Sequence, residues 1–212
     1  MNQIKSLSDC RTIGLNTLKG KITLKVIIKD SKREYDGYFK VDKVVLQHEK
    51  FDGSMSKDID RLNFNRGNTV AVILYNRTND SVVLIRQFRF PAYVDDGPGW
   101  LIECVAGIKD NGEIAVAKKE VLEETGYNIN KLKYLTRFYP SPGGCSEIIS
   151  IYLAHVETKE EIEDKYFGTG NEDIQVIEIP LIKALEMVKS GKICDAKTII
   201  GLFHLRDERE KG

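Results

Sequence analysis

Glu120, Glu123 and Glu124 fall within five consecutive residues, in the stretch KKEVLEETGY that ends at Tyr127. Like charges spaced i and i+4 repel on one helix face, so this spacing needs a reason. At about 100° per residue, Glu113, Glu120, Glu123 and Glu124 share one arc of a helix. Ala117 lies beside them, and Ile114, Ala115, Val121 and Leu122 are expected on the opposite, core-facing side. One reading is a solvated amphipathic helix whose charge Lys118 and Lys119 balance. The other is a cation site. Glu120 and Glu124 stand one turn apart, and hard oxygen ligands in that arrangement suit Mg²⁺ or Mn²⁺, whose usual partner is a phosphate. Periodicity alone leaves both readings open.

Other residues could join such chemistry. Glu103 lies in the short apolar run LIECVAG, where an acid needs a partner. A metal, a ribose hydroxyl or a buried ion pair would each serve. Glu147, just after the loop SPGG, poses the same question. Arg86 and Arg89 share the run SVVLIRQFRF, and their odd spacing puts them on opposite faces of a strand, so only one is expected to reach a given pocket. Ser141 to Gly144 would allow close backbone approach, although Pro-Gly turns are common. Tyr38 and Phe39 could stack on a base or simply pack in a core.

The elements that must position these residues follow from the pattern. KITLKVIIKD, from Lys21, alternates as a strand, and a turn at Asp36-Gly37 leads to another. FDGSMSKDIDRLNFNRGN is polar and reads as turn-rich. TVAVILYN, from Thr69, is a buried strand, and SVVLIRQFRF returns beside it as a hairpin. GWLIECVAG is a short strand ending at Gly107. The acidic helix spans about Ile114 to Thr125 and is stopped by Gly126. LKYLTRFY, EIISIYLAHV and IQVIEIP read as further strands, with a long charged loop from Glu157 to Asn171. LIKALEMVKS and AKTIIGLFHLRD close the chain as helices. Strands with a few well-placed helices imply an α+β fold, an α/β/α sandwich around a mixed sheet, with a smaller strand-rich annex over residues 1–65 and the main domain over 66–212.

Composition narrows the function. The 212 residues carry 32 Lys plus Arg and 32 Asp plus Glu, so formal net charge is zero. That balance argues against a general nucleic-acid or anionic-membrane binder. Four cysteines without CxxC spacing, with no signal-peptide run and no bilayer-length apolar stretch, fit a reducing, cytoplasmic setting.

AGIKDNGEIAVAKKEVLEETGY resembles the signature box of the Nudix hydrolase superfamily. The matching positions are Gly107, Glu113 and the run from Lys119 to Tyr127. The gap from Glu113 to Lys119 is two residues shorter than the family's usual seven, and Lys119 stands where the family has arginine. A lysine offers a point charge to Glu123 where arginine would offer a fork. Further segments, among them VVLIRQFRFPAY, LIECVAG, YPSPGGCSE and NEDIQV, resemble the branch that hydrolyses ADP-ribose and related nucleoside diphosphate sugars, GDP-mannose included. The resemblance implies Mg²⁺-dependent pyrophosphate cleavage, with ADP-ribose as the first expected substrate and GDP-mannose or another NDP-sugar as the alternative. A sensor that keeps the fold without catalysis is the reading of another class, and the intact Glu120 and Glu124 argue against it. The resemblance further implies metal ligation by Glu120, Glu124 and the Ala106 carbonyl, with Glu123 supporting them. It implies activation of water by Glu172, a phosphate grip by Arg89, and substrate contacts at Glu103 and Glu147. Finally, it implies a homodimer paired through the annex. The shortened gap is expected to move Glu113 out of the metal site, leaving it to act at the helix N-terminus.

Overall fold

The structure is a computed structural model that describes residues 11–17, 20–94, 97–109, 112–159, 166–168 and 172–210. The chain divides into two compact units. One comprises Met1–Arg66 with Ser141–Ser146, and the other Gly67–Pro140 with Glu147–Gly212.

The first unit is a four-stranded antiparallel sheet in sequence order, made of β1 (Arg11–Thr17), β2 (Gly20–Asp36), β3 (Lys40–His48) and β4 (Ile59–Asn65). Strand β4 corrects the turn-rich reading of its segment. IDRLNFN is too polar to announce a strand, yet it pairs with β3 from Leu46↔Ile59 to Lys40↔Asn65, so pairing overrides composition. Phe39 packs edge-on against both Tyr38 and Phe64, with centroids 4.8 and 5.2 Å apart.

The second unit holds an eight-stranded mixed sheet. Its order is β11 (Tyr166–Phe167), β12 (Ile174–Pro180), β6 (Ser81–Phe88), β5 (Thr69–Asn76), β10 (Ile149–Val156) and β9 (Lys133–Phe138). Strands β5 and β6 pair only from Leu74↔Val83 to Asn76↔Ser81 and then diverge. The gap is filled by β7 (Trp100–Glu103) on β6 and β8 (Val105–Ile108) on β5, with Cys104 at the crossing. This split in the sheet sets Glu103, at the end of β7, close along the chain to Ala106 and Gly107 of β8.

Side chains of the central strands alternate between two cores. Val70, Val72, Leu74, Val83 and Ile85 pack with Ala117 and Val121 of α2 (Glu113–Thr125). Ala71, Ile73, Val82 and Leu84 pack with Leu181 and Ala184 of α3 (Leu181–Lys189) and Leu202 and Leu205 of α4 (Ala196–Arg209). The unit is therefore the expected α/β/α sandwich. A short helix α1 (Phe90–Val94) lies between β6 and β7 and has no sequence signal beyond its proline.

Helix α2 starts one residue earlier than expected and ends as expected. Gly126 adopts the left-handed conformation at φ 67° and returns its N–H to the Leu122 carbonyl, a geometry open to glycine without a Cβ penalty. The buried face differs from the sequence expectation. Ala117, Val121, Glu124 and Thr125 are buried, while Ile114 and Leu122 are exposed. Apolar residues surround this helix, so periodicity picks no face. The sheet selects the one carrying small Ala117, and Glu124 goes in with it.

Candidate active site

The site grows from β8 and the helix α2 that packs on it. Gly107 faces Glu120 so closely that a Cβ there would stand 2.6 Å from the Glu120 carboxyl carbon. The glycine thus lets the first carboxylate lie against the strand. One turn on, Glu124 is only 6% exposed, and its Oε2 is buried with no hydrogen-bond partner. Burial, followed by the charge of Glu120, pushes the Glu124 carboxyl up to about 8, against the pull of Arg89. Burial also raises the Glu120 carboxyl; Lys119 opposes this while Glu123 and Glu172 add to it. Two neighbouring carboxylates that resist ionising together are stabilised by a cation between them.

Glu123 lies half-buried and takes a 3.2 Å ion pair from Lys119 at i+4. The lysine therefore keeps the bridge that the family makes with arginine. Glu172, directly after the loop expected over Glu157 to Asn171, is exposed. Its charge reaches both Glu120 and Glu124. Gly168 approaches it closely, since a Cβ there would stand 2.7 Å from the Glu172 carbonyl oxygen. The rest of that loop, residues 160–165 and 169–171, lies outside the described residues.

Arg89 and Glu103 come together as a pair. Arg89 Nε donates to Glu103 Oε1 at 2.8 Å and a terminal nitrogen donates to Oε2 at 3.1 Å. Arg86 is on the other face and donates to Gln175. Glu103 is 2% exposed and also receives Lys197 Nζ. Burial raises the Glu103 carboxyl, but Arg89 and Lys197 outweigh it and hold the group below its ordinary range. Lys197 in turn donates to Asp195 at 2.9 Å. Asp195 is the N-cap of α4, accepting from the Thr198 N–H, and Thr198 Oγ1 accepts from the Cys104 N–H at 2.7 Å. The first turn of α4 is thereby fastened to the strand that leads to Ala106. Neither Lys197 nor Thr198 stood out in the sequence; the only available signal was the Asp195-x-x-Thr198 capping spacing.

Two acids sit elsewhere. Glu147 is buried and accepts from Thr69 Oγ1 at 2.5 Å. Glu113 accepts from Tyr152 Oη at 2.5 Å, Ser150 Oγ at 3.2 Å and Lys109 Nζ at 2.7 Å. It ties the first turn of α2 to β10.

The donor set fits a divalent cation. It offers an orphaned buried carboxylate oxygen, a second carboxylate one turn away and a backbone carbonyl on the adjoining strand. Among the described residues no three His, Cys, Asp or Glu side chains gather as a cage. Few protein ligands plus several waters is the habit of Mg²⁺.

A mixed sheet between helices, presenting two neighbouring carboxylates beside Gly107, is suited to a divalent cation and the phosphate such an ion usually binds. The model of the NUDIX domain matches residues 65–195. A GDP-mannose pyrophosphatase of Cronobacter sakazakii is 40% identical over 182 residues, covering 85% of this chain and 94% of that protein. One of Enterobacter sp. is 38% identical over 187 residues, covering 87% and 97%. A crystal structure of an ADP compounds hydrolase shares the fold, with TM-score 0.64 and 22% identity over 88% of this chain and 95% of that one. The chain belongs to the Nudix hydrolase family, whose members generally use divalent metal ions.

Proposed function

We propose that the protein hydrolyses the pyrophosphate bond of a nucleoside diphosphate sugar with Mg²⁺, and that the substrate is GDP-mannose, cleaved to GMP and mannose 1-phosphate. The observation that carries the metal-dependent chemistry is the buried, unpartnered Glu124 Oε2 one turn from Glu120. The names of the relatives favour GDP-mannose over ADP-ribose, the substrate that the sequence resemblance alone put first.

In this reading Glu120, Glu124 and the Ala106 carbonyl hold the ion. A bound divalent ion neutralises phosphoryl oxygens and lowers the pKa of a bound water. Glu123, steadied by Lys119, supports the carboxylates by hydrogen bonding. Glu172 takes a proton from the attacking water, and its exposed position lets it approach after substrate binds. Water adds across the P–O–P bridge, so one phosphoryl group gains the hydroxyl and the other leaves as a phosphate monoester. Arg89 uses Nε and one terminal nitrogen on Glu103. The pair holds the guanidinium in a fixed orientation for a substrate phosphate oxygen. Glu103 acts as the holder of Arg89, and the substrate contact expected of Glu147 is part of this reading. The annex, whose outer strand β1 pairs only with β2 among the described residues, mediates a homodimer.

The test is incubation with Mg²⁺ and GDP-mannose, ADP-ribose, UDP-glucose, NADH or dGTP, with products separated by ion-exchange chromatography. GMP and mannose 1-phosphate from GDP-mannose, abolished by EDTA, are expected at the highest kcat/KM. Preference for ADP-ribose would overturn the substrate; turnover unaffected by EDTA would overturn the metal. Light scattering should give twice the chain mass.

A further inference from the structure

Sealing a polar atom from water without a hydrogen bond is costly, and native proteins seldom do it without a use for the atom. Among the described residues only two side-chain atoms are in that state. One is Glu124 Oε2, and the other is Gln87 Oε1. Gln87 is 6% exposed. The criterion that picks out a proposed metal ligand therefore also picks out an amide that neither charge nor motif would single out.

The register places this amide beside the site. Ile85 and Gln87 share a face of β6, and Arg89 follows two residues on, just past the strand's end. Ile85 belongs to the core beneath α2, so Gln87 lies on the α2 side of the sheet, one step nearer Arg89. Its partners are Leu101 on β7 and Ile174 on β12. Two residues before Ile174 comes Glu172, and two after Leu101 comes Glu103, the partner of Arg89. Arg89 in turn feels the charge of Glu124. Gln87 thus lies beside strand positions that lead to Glu172, Glu103 and Arg89, with its carbonyl oxygen turned to no protein donor.

We propose that Gln87 is a further positioning residue of this site, its Oε1 accepting a hydrogen bond from a water held by the divalent ion. The inference rests on the reading of Glu124 as a ligand of that ion. Mg²⁺ and Mn²⁺ bound by few protein ligands keep several waters, and each water carries hydrogens that need acceptors. A neutral acceptor orients such a water without adding a third negative charge beside Glu120 and Glu124. It also explains why an amide occupies a position flanked by Ile85 and Ile174, where leucine or methionine would pack.

The test is Mn²⁺ binding, followed by electron paramagnetic resonance, together with melting of the EDTA-treated protein, in wild type and in Gln87→Leu, Gln87→Met, Gln87→Glu and Glu124→Gln. Gln87→Leu should weaken Mn²⁺ binding about 10–100-fold, the usual effect of losing an outer-shell partner, and should melt no lower than wild type without metal. Gln87→Glu, which keeps an acceptor, should bind Mn²⁺ at least as tightly as wild type. Wild-type Mn²⁺ affinity in Gln87→Leu overturns the proposal, as does a metal-free melting point well below wild type. Gln87→Met serves if the leucine variant does not fold, and failure of both to fold also overturns it. Glu124→Gln separates the two levels. If that variant binds Mn²⁺ normally, the metal reading fails; if it does not but Gln87→Leu does, only the role of Gln87 fails.

Discussion

Replacing Glu124 by glutamine should make the metal-free protein more stable and the enzyme inactive. In the folded chain the Glu124 carboxyl holds its proton up to about pH 8, against an ordinary value of 4.5. The folded state therefore binds more protons than the unfolded state across that window, and stability falls as pH rises through it. At pH 7 the interval from 4.5 corresponds to roughly 3 kcal/mol, at about 1.4 kcal/mol per pH step. Glutamine removes this charge penalty but leaves a buried amide without a full set of partners, which returns about 1–2 kcal/mol. The net expectation is a gain of about 1–2 kcal/mol in EDTA, a rise of a few degrees in Tm for a chain of this size. The gain should grow toward pH 8, vanish at about pH 5.5, where the charge penalty equals the amide cost, and turn into a loss below that. With Mg²⁺ the order should reverse, because wild type gains binding energy that the variant lacks. Turnover should fall about a hundredfold or more. Scanning calorimetry from pH 5 to 9, with and without Mg²⁺, and a product assay on the same samples make the comparison. A variant that is less stable than wild type in EDTA at every pH, or that turns over normally with saturating Mg²⁺, refutes the reasoning.

Gly107→Ala should push the Glu120 carboxylate off the strand, since the new Cβ meets a flexible side chain; kcat is expected to drop at least tenfold with Tm nearly unchanged, as measured by steady-state kinetics and thermal melts. Glu113→Gln keeps an acceptor for Tyr152 and Ser150 but loses the charge that Lys109 meets; it should cost about 1 kcal/mol of stability and leave kcat within a few-fold. Lys197→Met should cost about 2–4 kcal/mol by leaving Glu103 with fewer partners. The depressed Glu103 carboxyl contributes stability above its unfolded value that is lost as pH falls through its folded one, so the variant's acid unfolding, followed by circular dichroism, should begin at higher pH.

Much of the sandwich was legible because its strands are strongly apolar and its helices are well stopped. TVAVILYN and EIISIYLAHV could only be buried strands, and Gly126 marked the end of α2. The glutamate spacing and its flanks disclosed the box. Other features were hidden for physical reasons. Strand β4 is polar and exists because β3 supplies its partner. The buried side of α2 was misread because Glu124 is a charged-type residue placed against the core, which ordinary patterning forbids and a functional site exploits. Lys197 carries no sequence signal of its own, yet it closes a network joining α4 to Glu103. Gln87 carried no signal at all, because an orphaned atom is a property of packing and not of residue order.

The central claim is that Glu120 and Glu124 hold the divalent ion on which hydrolysis depends. Anomalous diffraction from crystals soaked in Mn²⁺ tests it most directly. A peak is expected with carboxylate oxygens of both glutamates and the Ala106 carbonyl oxygen in its coordination shell, and it should be lost in Glu124→Gln. A peak elsewhere on the molecule, or one that persists unchanged in the variant, would contradict it.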